Sequence, residues 1–197
     1  MKILPRRFYN RHTLNVAKDL LGCFLLREYG GKKIRALITE VEAYHGEDDL
    51  ACHASRGRTP RTEVMYGQPG HAYVYMIYGM YHCLNIVTEK KDFPAAVLIR
   101  AVHPQSSSVA RSDRFIRGRT AGQHRERTDL AYGPGKLCKF LKIDRKLNQW
   151  DLTKGDKLWL EARNPKIKLP KIVKSRRIGI DYAQHCREYL WRFSLKE

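Results

Sequence analysis

Residues 39–55 read TEVEAYHGEDDLACHAS and residues 73–85 read YVYMIYGMYHCLN, and the fold class follows from these two segments and their surroundings. The first continues an apolar strand pattern that ends in carboxylates. The second is rich in aromatic and β-branched residues and contains Gly79 where a hairpin turn is expected. Both segments predict antiparallel strands, and their acids, histidine and tyrosines are more typical of a functional site than of a core.

The flanking sequence adds helices and further strands. Apolar spacing predicts a core helix from Thr13 that stops at Gly22, and then a hairpin whose strands are residues 23–29 and 34–41. Downstream, the patterns predict a strand at 95–102, a helix after Gly133, a strand at 157–161, a strand at 178–180 and a helix from Asp181 toward Leu190. Helices and strands are therefore mixed, which predicts an α+β protein.

Three stretches lack such periodicity. Residues 45–70 contain six glycines and prolines, which predicts a long loop, and long loops inside compact domains are commonly functional. Residues 105–129 carry six arginines against three acids, and we expect a mobile loop that a ligand could order. Residues 163–177 contain seven basic residues and no acid, a candidate electrostatic footprint.

Charge and composition limit the class of function. The 197 residues fit one domain spanning 1–197, and 43% hydrophobic residues suffice for a core. A net charge of +18 indicates a polyanionic partner, with nucleic acid ahead of an anionic membrane surface. No apolar run has the roughly 20 residues of a spanning helix, and no signal peptide is apparent, so we expect an intracellular protein. The five cysteines never form CxxC, which argues against disulfides and a four-cysteine zinc site.

The acids of residues 39–55 and His53 each have two interpretations. Glu40 and Glu42 would share one face of a regular strand and are candidates for general acid/base chemistry, or they are simply solvated or paired with arginine. Spacing does not choose between them. His53 could contact a planar ligand, or it is a hydrogen-bonded core histidine. His45 and Glu47 mimic the HxE half of a zinc deaminase, but the PCxxC half is missing, so no metal site is expected.

The tyrosines could form stacking platforms for bases, since every base has a π-face and stacking is worth about 1–3 kcal/mol per base. The candidates are Tyr44, Tyr73, Tyr75, Tyr78 and Tyr81. A tyrosine-rich sheet core is the alternative, and it is the better interpretation of Tyr73. Tyr78 differs because an aromatic beside Gly79 at a hairpin tip gains little from a core, whereas an exposed wedge suits insertion between base steps.

The sequence resembles the alkyladenine (3-methyladenine) DNA glycosylase family. The segments that carry this resemblance, in family order, are ITEVEAYHGEDDLACHAS, TPRTEVMYGQPGHAYVYMIYGMYHCLNI, AVLIRAV and GPGKLCKFL. Weaker similarity extends from LPRRFYNRHTLNVAKDLLG to the closing LWRF and so covers nearly the whole chain. The resemblance implies one α+β domain with a curved, mainly antiparallel, open barrel-like sheet flanked by helices, from which a β-hairpin enters DNA.

The resemblance also implies roles for particular residues. Glu42 would be the general base that activates water, with Arg100 near that water and Glu40 in support. Tyr44, His53 and Tyr75 would form the aromatic walls of the base pocket, and Asn85 would crowd the exocyclic amine of guanine. Tyr78 would intercalate into the DNA with Met80 and Tyr81 beside it, and Thr59 and Arg61 would contact phosphates.

The function that the resemblance implies is hydrolysis of the N-glycosidic bond of alkylated purines such as 3-methyladenine and 7-methylguanine. It leaves open whether hypoxanthine and ethenoadenine, which are neutral lesions, are excised too. The expected partner is double-stranded DNA with alkylated or deaminated purines, bound by a monomer without metal or cofactor. In a bacterium the protein would be cytoplasmic and nucleoid-associated. A non-catalytic, basic nucleic-acid-binding module is the alternative, in which the tyrosines only stack and Glu42 only pairs with an arginine.

Overall fold

The computed structural model describes residues 2–105, 131–166 and 168–196, so the arginine-rich stretch predicted as a mobile loop lies, beyond residue 105, outside the described residues. The strands are β1 Phe24–Tyr29, β2 Lys32–His45, β3 Ala72–Ile77, β4 Tyr81–Val87, β5 Ala95–Pro104, β6 Leu158–Glu161, β7 Ile172–Ser175 and β8 Arg192–Leu195. The helices are α1 Arg6–Tyr9, α2 Thr13–Leu20 and α3 Pro134–Phe140. Short 3₁₀ turns occupy His53–Arg56, Glu63–Tyr66, Arg145–Leu147 and Gln184–Glu188.

Strand β2 is the centre of the sheet. The strand order is β3-β4-β5-β2-β1-β6, and β8 pairs with both β2 and β7. The first half of β2 pairs with β1, whereas its second half lies between β5 and β8. Register shifts in the β2–β5 ladder on either side of Glu40 mark a bulge, which bends the strand. All pairings among the described strands are antiparallel and the sheet curls into a half-barrel, which confirms the predicted fold class.

The two faces of the sheet have different partners. One face packs against α2 and α3 in the main core; its residues include Val41, Ala43, Val74, Leu84, Ile86, Val97 and Ile99. On the opposite face, Tyr73, Val87 and Ala96 pack against a second cluster from the loop between β2 and β3. Because strand side chains alternate, the residues between the core positions point at this loop. The long loop therefore covers one face of the sheet.

The C-terminal region differs from the sequence-based prediction. The strand predicted at 178–180 and the helix predicted from Asp181 are wrong: this segment contains bends and only a short 3₁₀ turn. The backbone N–H of Ile178 is donated to a side chain instead of a neighbouring strand. The basic run contributes strand β7, which pairs only with β8 among the described strands and exposes Val173 and Lys174. Among the described residues, no helix has the length and apolar character needed to cross a membrane.

Candidate functional site

The strand register places one row of residues side by side across five strands. Tyr73 pairs with Asn85, Asn85 with Leu98, Leu98 with Glu42, and Glu42 with Arg192. Directly paired residues project to the same face of a sheet. This row therefore lies on the face that the long loop covers, and it brings Glu42 and Asn85 to one floor.

Glu42 is the most deeply held acid of this face. Its side chain has no solvent exposure. The Tyr44 hydroxyl donates to Oε2 at 2.8 Å, Arg100 Nη1 donates to the same oxygen at 3.3 Å, and the Ile178 N–H donates to Oε1 at 2.8 Å. A buried carboxylate is tolerated when such bonds compensate for lost water. Among the described residues, these bonds fill three of about four acceptor positions, and the remaining one is on Oε1.

Glu40 has a different set of partners. Arg100 Nε donates to it at 3.1 Å and Arg192 Nη1 at 3.2 Å. Arg100 therefore bridges both acids, so it holds the Glu42 carboxylate and is itself oriented by Glu40. The arginine-paired interpretation fits Glu40 fully, whereas Glu42 also faces the aromatic residues of the site. The bulge at Glu40 interrupts the regular register of β2, and the side chains of Glu40 and Glu42 nevertheless both reach Arg100.

The Ile178 N–H reaches Glu42 because a buried ion pair holds the residue before it. Arg177 donates to both carboxylate oxygens of Asp49, at 2.5 and 2.7 Å, and their side chains are 0% and 1% exposed. Arg177 also donates to the Ala43 carbonyl on β2 at 2.9 Å. Burial alone would lower the pKa of Arg177, but the hydrogen bonds and charge of Asp49 outweigh this and raise it. The C-terminal segment is thereby fastened to the site.

Three aromatic rings cluster beside Glu42. The His53 ring lies 4.6 Å from the Tyr75 ring at 70°, and the Tyr75 ring lies 5.2 Å from that of Tyr73. The Tyr73 hydroxyl is hydrogen-bonded to His53 Nδ1 at 2.8 Å. Tyr73 thus belongs to the loop-side core, as predicted, and also orients a site residue. Tyr44 packs against the same cluster.

Burial controls the protonation of this cluster. It lowers the pKa of His53 to about 4, with a smaller contribution from the charge of Arg61, so the imidazole is neutral at neutral pH. Burial and the charge of Glu42 raise the pKa of Tyr44 well above its ordinary value, so Tyr44 remains a hydrogen-bond donor. The cluster therefore presents uncharged ring faces next to an acid.

The remaining predicted positions lie around this pocket. Asn85 is buried, and its side-chain amide donates to the Tyr73 carbonyl at 3.3 Å, which fixes its orientation on the floor. Thr59 and Arg61 are exposed, as phosphate contacts would be. The guanidinium of Arg61 also lies 5.2 Å from the Tyr75 ring centre and 3.5 Å from His53 Nε2, at the edge of the aromatic cluster.

The hairpin tip between β3 and β4 is separate from this pocket. Tyr78 is 86% exposed, Met80 67% and Tyr81 39%, so an apolar tip faces solvent. The Met80 N–H donates to the Ile77 carbonyl at 3.2 Å, and Tyr78 and Gly79 between them have φ of +50° and +67°. Positive φ suits Gly79 but disfavours Tyr78, where Asn or Asp is more usual. A large aromatic is thus kept at a strained, exposed position.

Sequence reasoning missed the residues that come from far along the chain. The sequence pattern marks Asp49 only as one of several acids, and it places Arg177 in a basic run and Ile178 in a strand. One signal is present: if any of the adjacent acids of residues 47–49 is buried, it needs a cationic partner. Nothing in the spacing indicated which of the 38 Lys and Arg residues that partner is.

The described residues that could hold a metal ion, His12, His45 and Glu89, do not line this pocket. Within it, a buried carboxylate with a free lone pair can accept a proton from water. The aromatic faces can hold a planar ring, with extra attraction for a cationic one. The exposed tip can insert between stacked bases.

Comparisons with known proteins identify the family of this chain. Residues 7–197 match the family model described as methylpurine-DNA glycosylase. A protein of Methanocella arvoryzae is 50% identical over 193 residues, which cover 98% of this chain and 92% of that protein. One of Desulfitobacterium hafniense is 45% identical over 199 residues, covering 100% and 97%, and one of Legionella pneumophila is 44% identical over 197 residues, covering 100% and 96%. All three are provisionally named 3-methyladenine DNA glycosylases.

Proposed function

The chain belongs to the methylpurine-DNA glycosylase family, a family of DNA base-excision repair enzymes, and from this premise we propose that Glu42 is its general base. The substrate is an alkylated purine such as 3-methyladenine or 7-methylguanine in duplex DNA. The enzyme hydrolyses the N-glycosidic bond, releasing the free base and leaving an abasic sugar. The observation that carries this proposal is the buried Glu42 carboxylate beside the aromatic cluster, since a module that only binds DNA needs no such acid.

In the proposed reaction, the free lone pair on Glu42 Oε1 accepts a hydrogen bond from the attacking water. The water oxygen bonds to the anomeric carbon as the carbon–nitrogen bond breaks, and the bonding electrons leave with the purine. Glu42 takes the water proton, and its negative charge stabilises the cationic sugar that develops in the transition state. Arg100 and the Ile178 N–H hold the carboxylate in place for this step.

Selection of damaged bases rests on the aromatic cluster in this proposal. Tyr44, His53 and Tyr75 offer π-faces that attract a cationic alkylpurine by about 0.5–2 kcal/mol per ring. The neutral state of His53 supports this role, because an imidazolium would repel such a base. Asn85, fixed on the floor by its bond to the Tyr73 carbonyl, crowds the exocyclic amine of guanine. Cationic purines are also good leaving groups and need no further acid.

Base flipping is the proposed route into the pocket. The target base cannot reach Glu42 from within the helix, so it must leave the stack, at a cost of a few kcal/mol that is lower for a damaged base. Tyr78 fills the gap, with Met80 and Tyr81 against the groove, and their exposure supports this role. Thr59 and Arg61 contact phosphates in the bound state. The proposed form is a monomer on DNA.

The test is excision from methylated DNA. The protein is incubated with duplexes carrying 3-methyladenine, 7-methylguanine, hypoxanthine or ethenoadenine, and free bases and abasic sites are measured. We expect release of the two methylated bases. The results with hypoxanthine and ethenoadenine show whether the range of excised lesions includes neutral bases. Tight binding to the methylated duplexes without release would contradict the proposal and favour a binding module.

A further inference from the structure

A cluster of potential metal ligands lies behind the pocket, on the opposite face of β2. His12 precedes α2, His45 is the last residue of β2, and Glu89 follows β4. One ligand atom from each lies within 4.8 Å of the other two. His45 Nε2 is 3.2 Å from Glu89 Oε1, and the two imidazole rings are 4.8 Å apart at 30°. We propose that these three residues form a binding site for a divalent transition metal of the Zn²⁺ class.

The ligand set determines which metal class fits. Two imidazoles and one carboxylate suit Zn²⁺ and related transition metals, whereas Mg²⁺ and Ca²⁺ prefer oxygen ligands. Three protein ligands leave a coordination position for water. His12 is exposed, so the ion can enter from solvent.

The ligands are oriented by neighbouring groups, as in metal sites with an established outer shell. The Thr13 N–H and hydroxyl donate to Glu89 Oε1 at 2.7 and 3.0 Å. Within the described part of the chain, no hydrogen bond is made to Glu89 Oε2, which is left to bind the ion. The Phe93 ring lies 4.9 Å from that of His45 and restricts its rotation.

The local charge favours a cation despite the net charge of +18. His45 lines a cavity of about 640 Å³ whose wall includes four carboxylates, those of Glu47, Asp48, Asp49 and Asp92. Asp49 is paired with Arg177 and Asp92 with Arg58, so Glu47 and Asp48 are the acids of this wall without an ion pair among the described residues, and their charge favours a cation near His45. A bound ion would join α2, the end of β2 and the residue after β4.

The contacts between Thr13 and Glu89 also have a simpler interpretation, and the experiment must distinguish it from metal binding. Glu89 accepts the Thr13 N–H and so satisfies a free donor at the start of α2 without any metal. The variant Glu89→Gln keeps an oxygen for this bond but is a much weaker metal ligand. His12→Ala removes an exposed imidazole whose ring nitrogens make no hydrogen bond among the described residues, and it keeps the backbone carbonyl that accepts from the N–H groups of Asn15 and Val16. His82→Ala, a histidine on β4 outside the cluster, is the matched control.

The experiment titrates metal-free full-length protein with Zn²⁺ by calorimetry and with Co²⁺ by visible absorption. We expect one bound ion with nitrogen and oxygen ligands, affinity reduced at least about tenfold in His12→Ala and Glu89→Gln, and no change in His82→Ala. Zn²⁺ should raise the Tm of the wild type and of His82→Ala but not of His12→Ala.

Three outcomes would overturn the site. The first is wild-type binding no tighter than that of His12→Ala, which would place any ion elsewhere, including at Glu42 or His53. The second is a Co²⁺ spectrum of thiolate ligation, which would assign the ion to cysteine. The third is an unchanged Tm of the wild type in Zn²⁺.

Discussion

The Glu42 pocket and the Tyr78 hairpin are built in opposite ways. Glu42 is buried and held by groups from β2, β5 and the C-terminal segment, the last of them 136 residues away in sequence. The hairpin from β3 to β4 is one continuous segment, and its tip faces solvent. The pocket depends on contacts that are distant in sequence, whereas Tyr78 at the tip is 86% exposed, so changes at the two places should separate bond cleavage from DNA capture.

The largest effect is expected from Glu42→Gln. Removing the carboxylate eliminates the proposed base, so single-turnover release of 3-methyladenine should fall by about 10²- to 10⁴-fold while binding to the damaged duplex is retained. Glu40→Gln is the matched control, because among the described residues the Glu40 carboxylate binds only arginines, and we expect a much smaller loss. Equal rates for Glu42→Gln and the wild type would remove Glu42 from its role.

The next effect is expected from breaking the buried ion pair with Asp49→Asn. An uncompensated Arg177 should lower the free energy of unfolding by about 3–5 kcal/mol, as measured by urea denaturation. Excision should also slow below the unfolding transition, because the Ile178 N–H is no longer fixed on Glu42. Glu63→Gln breaks an exposed pair with Arg58 and should leave both quantities unchanged. An unaltered stability of Asp49→Asn would show that the C-terminal segment is held by other contacts.

Tyr78→Asn tests the tip without touching the pocket. Asn suits positive φ better than Tyr does, so stability should stay the same or rise by up to about 1 kcal/mol. Capture of the flipped state should weaken about tenfold, because a stacking contact worth about 1–3 kcal/mol is lost. The measurement is fluorescence of a reporter base opposite the lesion. A full fluorescence change with Tyr78→Asn would rule out the wedge.

The smallest effect concerns the pH dependence of stability. The pKa of His53 is lowered to about 4 in the folded state, whereas in the unfolded chain the pKa of this histidine is about 6.5. Below about pH 6.5 the unfolded chain therefore binds more protons at His53 than the folded protein does. The stabilisation is complete above about pH 6.5 and is lost as the pH falls toward 4, by about 1–2 kcal/mol between pH 6.5 and 5. The difference in unfolding free energy between the wild type and His53→Gln over this range measures it. A constant difference would contradict the lowered pKa.

The sequence predicts the parts of the fold that form from neighbouring residues better than the parts that depend on residues distant in sequence. The hairpin of β3 and β4, the strand predicted at 95–102 and the helix after Gly133 depend on local turn and strand patterns, and all are confirmed. The strand at 178–180 is wrong because Ile178 has strand-like neighbours in sequence but bonds to a distant carboxylate. Local propensity contains no information about that partner.

The candidate site shows this limit at the level of single residues. The spacing makes Glu40 and Glu42 equal candidates for the general base. Only the contacts in the folded protein distinguish them: Glu40 is bound by arginines, whereas Glu42 also faces the aromatic cluster. The family resemblance named Glu42, Tyr44, His53 and Tyr75, which the structure brings close together, but their chemical roles stay predictions. It did not name Asp49 and Arg177, whose pairing appears only when the chain is folded.

The Ile178 bond to Glu42 also matters during protein synthesis. Residues leave the ribosome in order, and at about 5–20 residues per second the 136 positions between these two take about 7–27 seconds. Throughout that interval a nascent chain already carries many basic residues that adhere to nucleic acid, but its carboxylate lacks the backbone donor and the Arg177 fastening. The order of the residues thus delays assembly of the proposed cleavage site until most of the protein has been made.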